Sequence, residues 1–301
     1  MRTVERPVSV HGMGIHTGFP VRVTLLPALE FGVFFKRVDI PESPLIAATP
    51  DNIEPSTRNT VLRRGDASIA TIEHLLAACH GLGVDGLVVE VDGEELPALD
   101  GSALPWVEVI GRAGVVDTMA AYPDDVVNDE WSPEGVSVEE GDAFISLVPA
   151  PGFSVTFSGI FPDGIHHTAT WSPAGDFRGA LAGARTFCRL KEVVELRRAG
   201  LIRGGTPDNA IVWVDIEPTP ELAREVSTWW PGVLLERSSE GILNSQKLRW
   251  DDEPVRHKLL DLLGDLALVR PISRCMIHAH QAGHALTHRF LSLLQRRIMG
   301  G

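Results

Sequence analysis

Cysteine is scarce in this chain, basic charge is in the minority, and long apolar runs are missing. Three cysteines, Cys79, Cys188 and Cys275, occur in 301 residues, too few and too unevenly spaced for a disulfide framework. Each reads as a reduced small hydrophobe. No stretch reaches the roughly eighteen apolar residues that a membrane helix needs, and the opening MRTVERPVSV carries no apolar core of a secretory signal. Together these absences predict a protein made and kept in the cytoplasm. Lys plus Arg number 27 against 40 Asp plus Glu, a formal net charge of -13. A phosphate backbone is repelled on average by that balance, which argues against a nucleic-acid partner but leaves room for a local basic pocket. No GxGxxG follows a strand-like run, so the dinucleotide fingerprint of a dehydrogenase is also missing.

What is present is the composition of a folded protein, with 44% hydrophobic and 22% charged residues. The length suits one large domain or two ordinary ones. VRVTLLPA, FGVFFKRV and LVVEVDG read as strands, with a helix over Ile69 to His80 stopped by Gly81 and a shorter helix in SALPWVEVIGRAG. Acidic, breaker-rich sequence follows. Beyond it AFISLVPA, FSVTFSGIF and AIVWVDI read as strands, and RLKEVVELRRAG and a long segment from Pro254 as helices. The expected fold class is α+β, with two similar sheet/helix domains and the active site between them. The boundaries are residues 1–125, a linker at 126–141, and residues 142–301. The two halves share no clear identity, so a duplication is not visible in the sequence.

Chemistry concentrates in VRHKLLDLLGD, residues 255–265. Each step of four residues on a helix turns about 40° beyond a full turn, so His257, Asp261 and Asp265 line one stripe, while Leu259, Leu262, Leu263 and Leu266 lie on the other side. His257 and Asp261 at i and i+4 can aim an imidazole nitrogen and a carboxylate oxygen at one point. The same spacing also stabilises helices without any metal. A catalytic zinc takes three protein ligands and keeps one position free. The best third candidate lies in TIEHLLAACHG, where Ile72, Leu75, Leu76 and Cys79 form an apolar stripe and Glu73 and His74 lie opposite, beside the small Ala77 and Ala78. If His74 completes the set, the adjacent Glu73 is free to take a proton from a water that the metal has acidified. Spacing alone leaves the structural reading of each histidine open.

The segments HGMGIHTG (11–18), TIEHLLAACHGLGVD (71–85), ELPALDGSALPW (95–106), ARTF (184–187), GLIRGGTPDNAIV (200–212), VRHKLLDLLGDL (255–266) and GHAL (283–286) decide between these readings. In this order they resemble the UDP-3-O-acyl-N-acetylglucosamine deacetylases, zinc amidases of lipid A biosynthesis in Gram-negative bacteria. The resemblance implies one catalytic zinc on His74, His257 and Asp261, although two histidines and an aspartate also suit iron or another divalent ion. It implies a general base at Glu73, a catalytic histidine at His284, an aspartate that orients it at Asp265, and a hydroxyl near the oxyanion at Thr186. Substrate contacts carry over to Lys258, Phe187 and His16.

An apolar passage for the acyl chain is implied within FCRLKEVVELRRAGLIRGG, with Leu190, Val193 and Leu201 among its lining and with Val194 and Leu196 on the same stretch. Burying methylenes there is worth up to about 0.8 kcal/mol each. The expected reaction is hydrolysis of the 2-acetamido group of UDP-3-O-acyl-N-acetylglucosamine with release of acetate, by a monomer. Gly86, Arg189 and the segments TRNTVL and GIFPDGIHHTATW depart from the family's common pattern, and none of them supplies a proposed metal ligand. The alternatives are a zinc amidohydrolase for another N-acylated sugar nucleotide, or a silent sugar-nucleotide or acyl-chain binding protein of the same fold.

Overall fold

The computed structural model describes residues 1–56, 58–120, 135–269 and 272–300. The first half runs β1 (Arg2–Val4), β2 (Val8–Met13), β3 (Pro20–Pro27), β4 (Gly32–Arg37), β5 (Ile46–Ala47), β6 (Ile53–Glu54), β7 (Val61–Arg64), β8 (Ala67–Ala70), α1 (Glu73–Leu82), β9 (Gly86–Val91), α2 (Leu104–Ala113) and β10 (Val115–Asp117). Its main sheet has the order β2-β3-β9-β4-β5, and only the β4–β9 pair in it is parallel. Along β3 the inward positions Val21, Val23 and Leu25 are buried and alternate with more exposed neighbours, the period-two pattern of a sheet with one packed face.

The second half runs β11 (Val136–Glu140), β12 (Ala143–Pro149), β13 (Ser154–Ile160), β14 (His166–Trp171), α3 (Phe177–Ala180), β15 (Phe187–Arg189), α4 (Leu190–Arg198), β16 (Ile211–Trp213), α5 (Pro220–Trp229), α6 (Glu253–Leu266), β17 (Cys275–His280) and α7 (His284–Gly300). Its main sheet has the order β11-β12-β17-β13-β14, and again a single pair, β13–β17, is parallel. In each half the last strand slots between the second and third. A long helix precedes that strand, and another follows it. The duplication hidden in the residues is thus plain in the topology. It makes α1 and α6 equivalent elements, and α2 and α7 likewise.

One continuous apolar core joins Val23 and Val89 of the first sheet, Leu75 and Leu76 of α1, Leu260 and Leu263 of α6, and Ile145 and Ile277 of the second sheet. The helices therefore lie between the sheets, and α1 packs on α6. A smaller core around Leu190, Val194, Val226 and Trp230 holds the excursion from β15 to α5 together.

Two expectations need correction. The first concerns α1, which begins at Glu73, because Ile69 belongs to β8; it continues through Gly81 to Leu82 and is closed by Gly83 in the left-handed region at φ +64°. Gly81 serves packing instead, since a Cβ there would stand 2.3 Å from the Phe177 ring. The second concerns the linker at 126–141. Residues 126–134 lie outside those described, but Val136–Glu140 form β11, paired with β12 from Val136↔Leu147 to Glu140↔Ala143. The second unit has therefore begun by Val136, not at 142. As an edge strand, β11 shows its acidic residues to solvent, which is why its composition resembles a linker.

The α1–α6 crossing depends on Gly264, where a Cβ would lie 2.0 Å from the carbonyl oxygen of Glu73. Both are backbone-fixed, so a methyl group there forces the helices apart. Gly264→Ala is expected to lower stability by about 1–3 kcal/mol in urea unfolding and to weaken metal retention in a chelator competition. Native values for both would refute this role of the glycine.

Candidate metal centre

The first turn of α1 supplies Glu73 and His74, and α6 supplies His257, Asp261 and, in its last turn, Asp265. All five side chains are buried. The expected polar stripe of α6 is therefore a second interior face, turned onto α1 and the start of α7. His74, His257 and Asp261 each place one donor atom within 4.8 Å of the others. His74 Nε2 and His257 Nε2 lie 3.5 and 3.2 Å from Asp261 Oδ1, with the two rings edge to face at 5.1 Å.

Three observations fit this trio to a cation. Asp261 Oδ1 is buried without a hydrogen-bond partner, a costly state that a bound ion relieves. His257 Nδ1 donates to the carbonyl of Ala184 at 3.0 Å, which fixes the tautomer whose Nε2 lone pair faces the trio. Burial pushes the His257 imidazole down to about 3, so it is neutral and able to ligate near neutral pH. Asp261 Oδ2 accepts from Lys258 Nζ at 2.8 Å, which leaves Oδ1 facing the two imidazoles. The set suits a single divalent cation, and zinc best among the common ones.

Glu73 is beside this trio and outside it. Its Oε2 accepts the backbone N–H of Thr60 at 3.1 Å. Burial raises its carboxyl above the usual range, more than the neighbouring His284 and His74 lower it. His284, the first residue of α7, turns Nδ1 to Asp265 Oδ2 at 3.1 Å and Nε2 toward Asp261 Oδ2 at 3.8 Å. Burial disfavours the His284 imidazolium, but the Asp265 carboxylate outweighs it and holds the pKa at about 9. A second group of close donors, Asp265, His284 and His288, surrounds the Thr60 hydroxyl. That hydroxyl donates to Asp265 Oδ1 and lies 3.0 Å from His288 Nε2, so hydrogen bonds already knit this group together.

The ARTF segment reaches the centre because Glu253, fully buried at the start of α6, binds Arg185 through Nε at 2.8 Å and Nη2 at 3.1 Å. That pair holds Ala184 against His257 and delivers Thr186 and Phe187 to the cavity wall. The Phe187 ring lies edge-on to His257 at 6.3 Å, with Lys258 Nζ 6.0 Å above it. A cavity of about 320 Å³ brings together His16, Glu73, His74, Thr186, Phe187, Val193, His257, Lys258, Asp261 and His284.

Leu190 and Leu201 do not line it. Leu190 is packed into the smaller core, and Leu201 is 52% exposed. Gly200 at φ +75° and Ile202 at φ +46° reverse the chain after α4, which turns Ile202 inward in place of Leu201. Leu196, Ile202, Val212 and Trp230 complete the apolar wall. The structure adds Thr60, His288 and Trp230 to the site. The spacing of His284 and His288 at i and i+4 is a usable signal, whereas TRNTVL, which contains Thr60, stands out only as a departure from the family's common pattern. Thr60 is set by Thr71, whose N–H donates to the Thr60 carbonyl at 3.0 Å. Thr71 itself has φ +60°, strained for a β-branched residue, two residues before the start of α1.

Three protein donors would leave a bound zinc one further coordination place, the pattern of hydrolytic and not of structural zinc; fold and donor set together fit the class of metal-dependent hydrolases. The profile of one family, UDP-3-O-acyl N-acetylglycosamine deacetylase (LpxC), matches residues 1–223 and 233–296. The chain belongs to that family. It is 38% identical over 301 residues to a bifunctional enzyme LpxC/FabZ of Porphyromonas gingivalis, covering 99% of this chain and 64% of that protein. The chain thus spans about two thirds of the length of that bifunctional relative. It is 37% identical over 299 residues to a UDP-3-O-acyl-N-acetylglucosamine deacetylase of Cellvibrio japonicus, covering 97% and 89%, and 35% identical over 292 residues to the deacetylase of that name from Trichormus variabilis, covering 94% of each.

Zinc at about 100 times its dissociation constant is expected to stabilise the native chain by about 2.7 kcal/mol, read as a chelator-reversible rise in Tm. Asp261→Ala should abolish that rise; if it persists undiminished, the ion sits elsewhere.

Proposed function

We propose that this protein hydrolyses the 2-acetamido group of UDP-3-O-acyl-N-acetylglucosamine and releases acetate, with zinc held by His74, His257 and Asp261. The observation that carries the reading is the convergence of those three buried donors beside an unligated carboxylate, in a chain of the deacetylase family. The chemistry a bound zinc supplies is polarisation of the amide oxygen and a lowered pKa for the attacking water. Glu73 takes that water's proton as the oxygen–carbon bond forms. The carbon–nitrogen bond then breaks, and the nitrogen gains a proton as the amine leaves. A carboxyl raised by burial is suited both to accept the first proton and to return it.

His284 presents a protonated Nε2 toward the reacting region, where a cation steadies developing negative charge. Asp265 is the positioning residue that keeps His284 charged, and Thr186 offers a hydroxyl near the same oxygen. Lys258, which stays cationic through Asp261 despite its burial, is the group for the nucleotide-sugar side. His16 and Phe187 are further substrate contacts, and Val193 lines the acyl side. Among the described residues no helix is long and apolar enough to cross a membrane. We place the protein in the cytoplasm as a monomer.

Acetate release and metal content together test the reading. Glu73→Ala should keep its zinc and lose about 10²–10⁴-fold in kcat/KM. Full activity in that variant would refute the assigned base. The pH profile follows from the shifted groups. Activity should rise as Glu73 loses its proton, above the usual carboxyl range, and fall as His284 loses its own near pH 9. His284→Ala should lower the rate and erase the alkaline limb, and an unchanged limb would assign it to another group.

A further inference from the structure

His288 stands one turn after His284 on α7 and takes no part in the proposed reaction. It is buried, its ring is 6.0 Å from that of His284, and it does not line the cavity. Its Nε2 lies 3.0 Å from the Thr60 hydroxyl oxygen, while its Nδ1 is buried with no hydrogen-bond partner. A buried imidazole with one nitrogen paired and the other bare is costly. Which nitrogen carries the proton is decided by the groups around Thr60.

The Thr60 hydroxyl has one proton and two lone pairs. The proton goes to Asp265 Oδ1, a charged acceptor that outcompetes a neutral ring nitrogen. Oγ1 is then left to accept from the two imidazoles, His288 Nε2 at 3.0 Å and His284 Nδ1 at 3.3 Å. His284 Nδ1 gives the larger share of its proton to Asp265 Oδ2 at 3.1 Å. His288 therefore carries its proton on Nε2. Burial lowers its pKa, against the pull of Asp265 and with the help of His284, so the ring is neutral. The other tautomer would orphan a buried N–H at Nδ1 and set the Nε2 lone pair against those of Thr60, whereas a bare acceptor is the lesser cost. One chain of bonds results: His288 Nε2–H to Thr60, Thr60 O–H to Asp265 Oδ1, and His284 Nδ1–H to Asp265 Oδ2.

We propose that His288 is a positioning residue that fixes the direction of the Thr60 proton, and through it the Asp265 carboxylate that aims His284 at the reacting region. The proposal rests on the deacetylase reading above. A hydroxyl proton turns freely about its C–O bond, and an N–H donor on one side of the oxygen leaves it the other side. Held at both oxygens, the Asp265 carboxylate does not pivot. Released at Oδ1 it takes the His284 ring with it, and a misplacement of about 1 Å at reacting atoms costs on the order of 10²-fold in rate. The backbone N–H of Thr60 meanwhile donates to Glu73 Oε2 at 3.1 Å, so one residue stands behind both the base and His284.

The first test needs no substrate and no variant. Nitrogen NMR of the zinc-loaded protein with isotope-labelled histidine, near neutral pH, should show His288 neutral with its proton on Nε2. A proton on Nδ1, or an imidazolium, overturns the proposal. The second test is kinetic. His288→Leu should lower kcat for acetate release about 10–100-fold with KM and zinc content unchanged, because residue 288 touches neither cavity nor metal. His288→Gln, whose amide N–H takes the place of Nε2–H, should recover most of that loss. His288→Asn, whose shorter amide stops short of Thr60, replaces the leucine variant if that one does not fold. Thr60→Val removes the hydroxyl and keeps the shape, and adding His288→Leu to it should cost nothing more, since both changes break one chain. Equal losses in the leucine and glutamine variants, or losses that multiply in the double variant, overturn the positioning role. No acetate release by the native protein from any substrate, with the proton still found on Nε2, overturns the deacetylase reading and upholds the hydrogen-bond chain.

Discussion

The contact of Gly264 with the carbonyl oxygen of Glu73 is the constraint from which the centre follows. A Cβ at 264 would stand 2.0 Å from that oxygen, so α6 lies against the backbone of the first turn of α1 at a distance only glycine permits. His74 is the next residue on α1, and Asp261 is one turn before Gly264 on α6. Setting the two backbones in contact therefore brings an imidazole from one half of the chain to a carboxylate from the other. The duplicated topology gives this contact its place, because α1 and α6 are the equivalent helices of two like units, packed between two sheets that cover their outer sides.

Burial then divides labour among groups of similar kind. Three carboxylates, Glu73, Asp261 and Asp265, and three histidines, His74, His257 and His284, crowd together, yet Asp261 is held by Lys258 and the imidazoles, while Glu73 meets a backbone N–H and is pushed upward by desolvation. His257 is driven neutral, and His284, backed by Asp265, is kept charged. Such opposite shifts in neighbouring groups separate ligand from base and base from cation. Thr60 ties the arrangement together, with its amide on Glu73 and its hydroxyl among Asp265, His284 and His288. The strained Thr71, whose N–H donates to the Thr60 carbonyl, ties the residue just before β7 to the start of α1.

Much of this was legible beforehand where the signal was local. The i, i+4 spacing of His257 and Asp261, the apolar stripe of Leu75, Leu76 and Cys79, and the alternation in β3 all survive in the fold, because each expresses the repeat of a single element. Boundaries governed by neighbours are not legible in the residues alone. Gly81 stays helical because Phe177 leaves no room for a side chain, and β11 resembled a linker because an edge strand shows half its residues to water. Leu190 and Leu201 failed as wall residues for a related reason. Their hydrophobicity was evident, but which apolar surface each one meets depends on a chain reversal at Gly200 that helical phase does not encode.

The sequence by itself determined the strand and helix periods, the acidic and cysteine-poor character, and the segments that place the chain in its family, since these are properties of residues and their near neighbours. Only the tertiary structure decided that Thr60, 205 residues before Asp265 in the chain, shares its proton with that carboxylate, that the two halves repeat one topology, and that Trp230 joins the cavity lining. Those are meetings of remote segments. No local pattern marks them, because their energies come from desolvation and contact that exist only once the chain has closed upon itself.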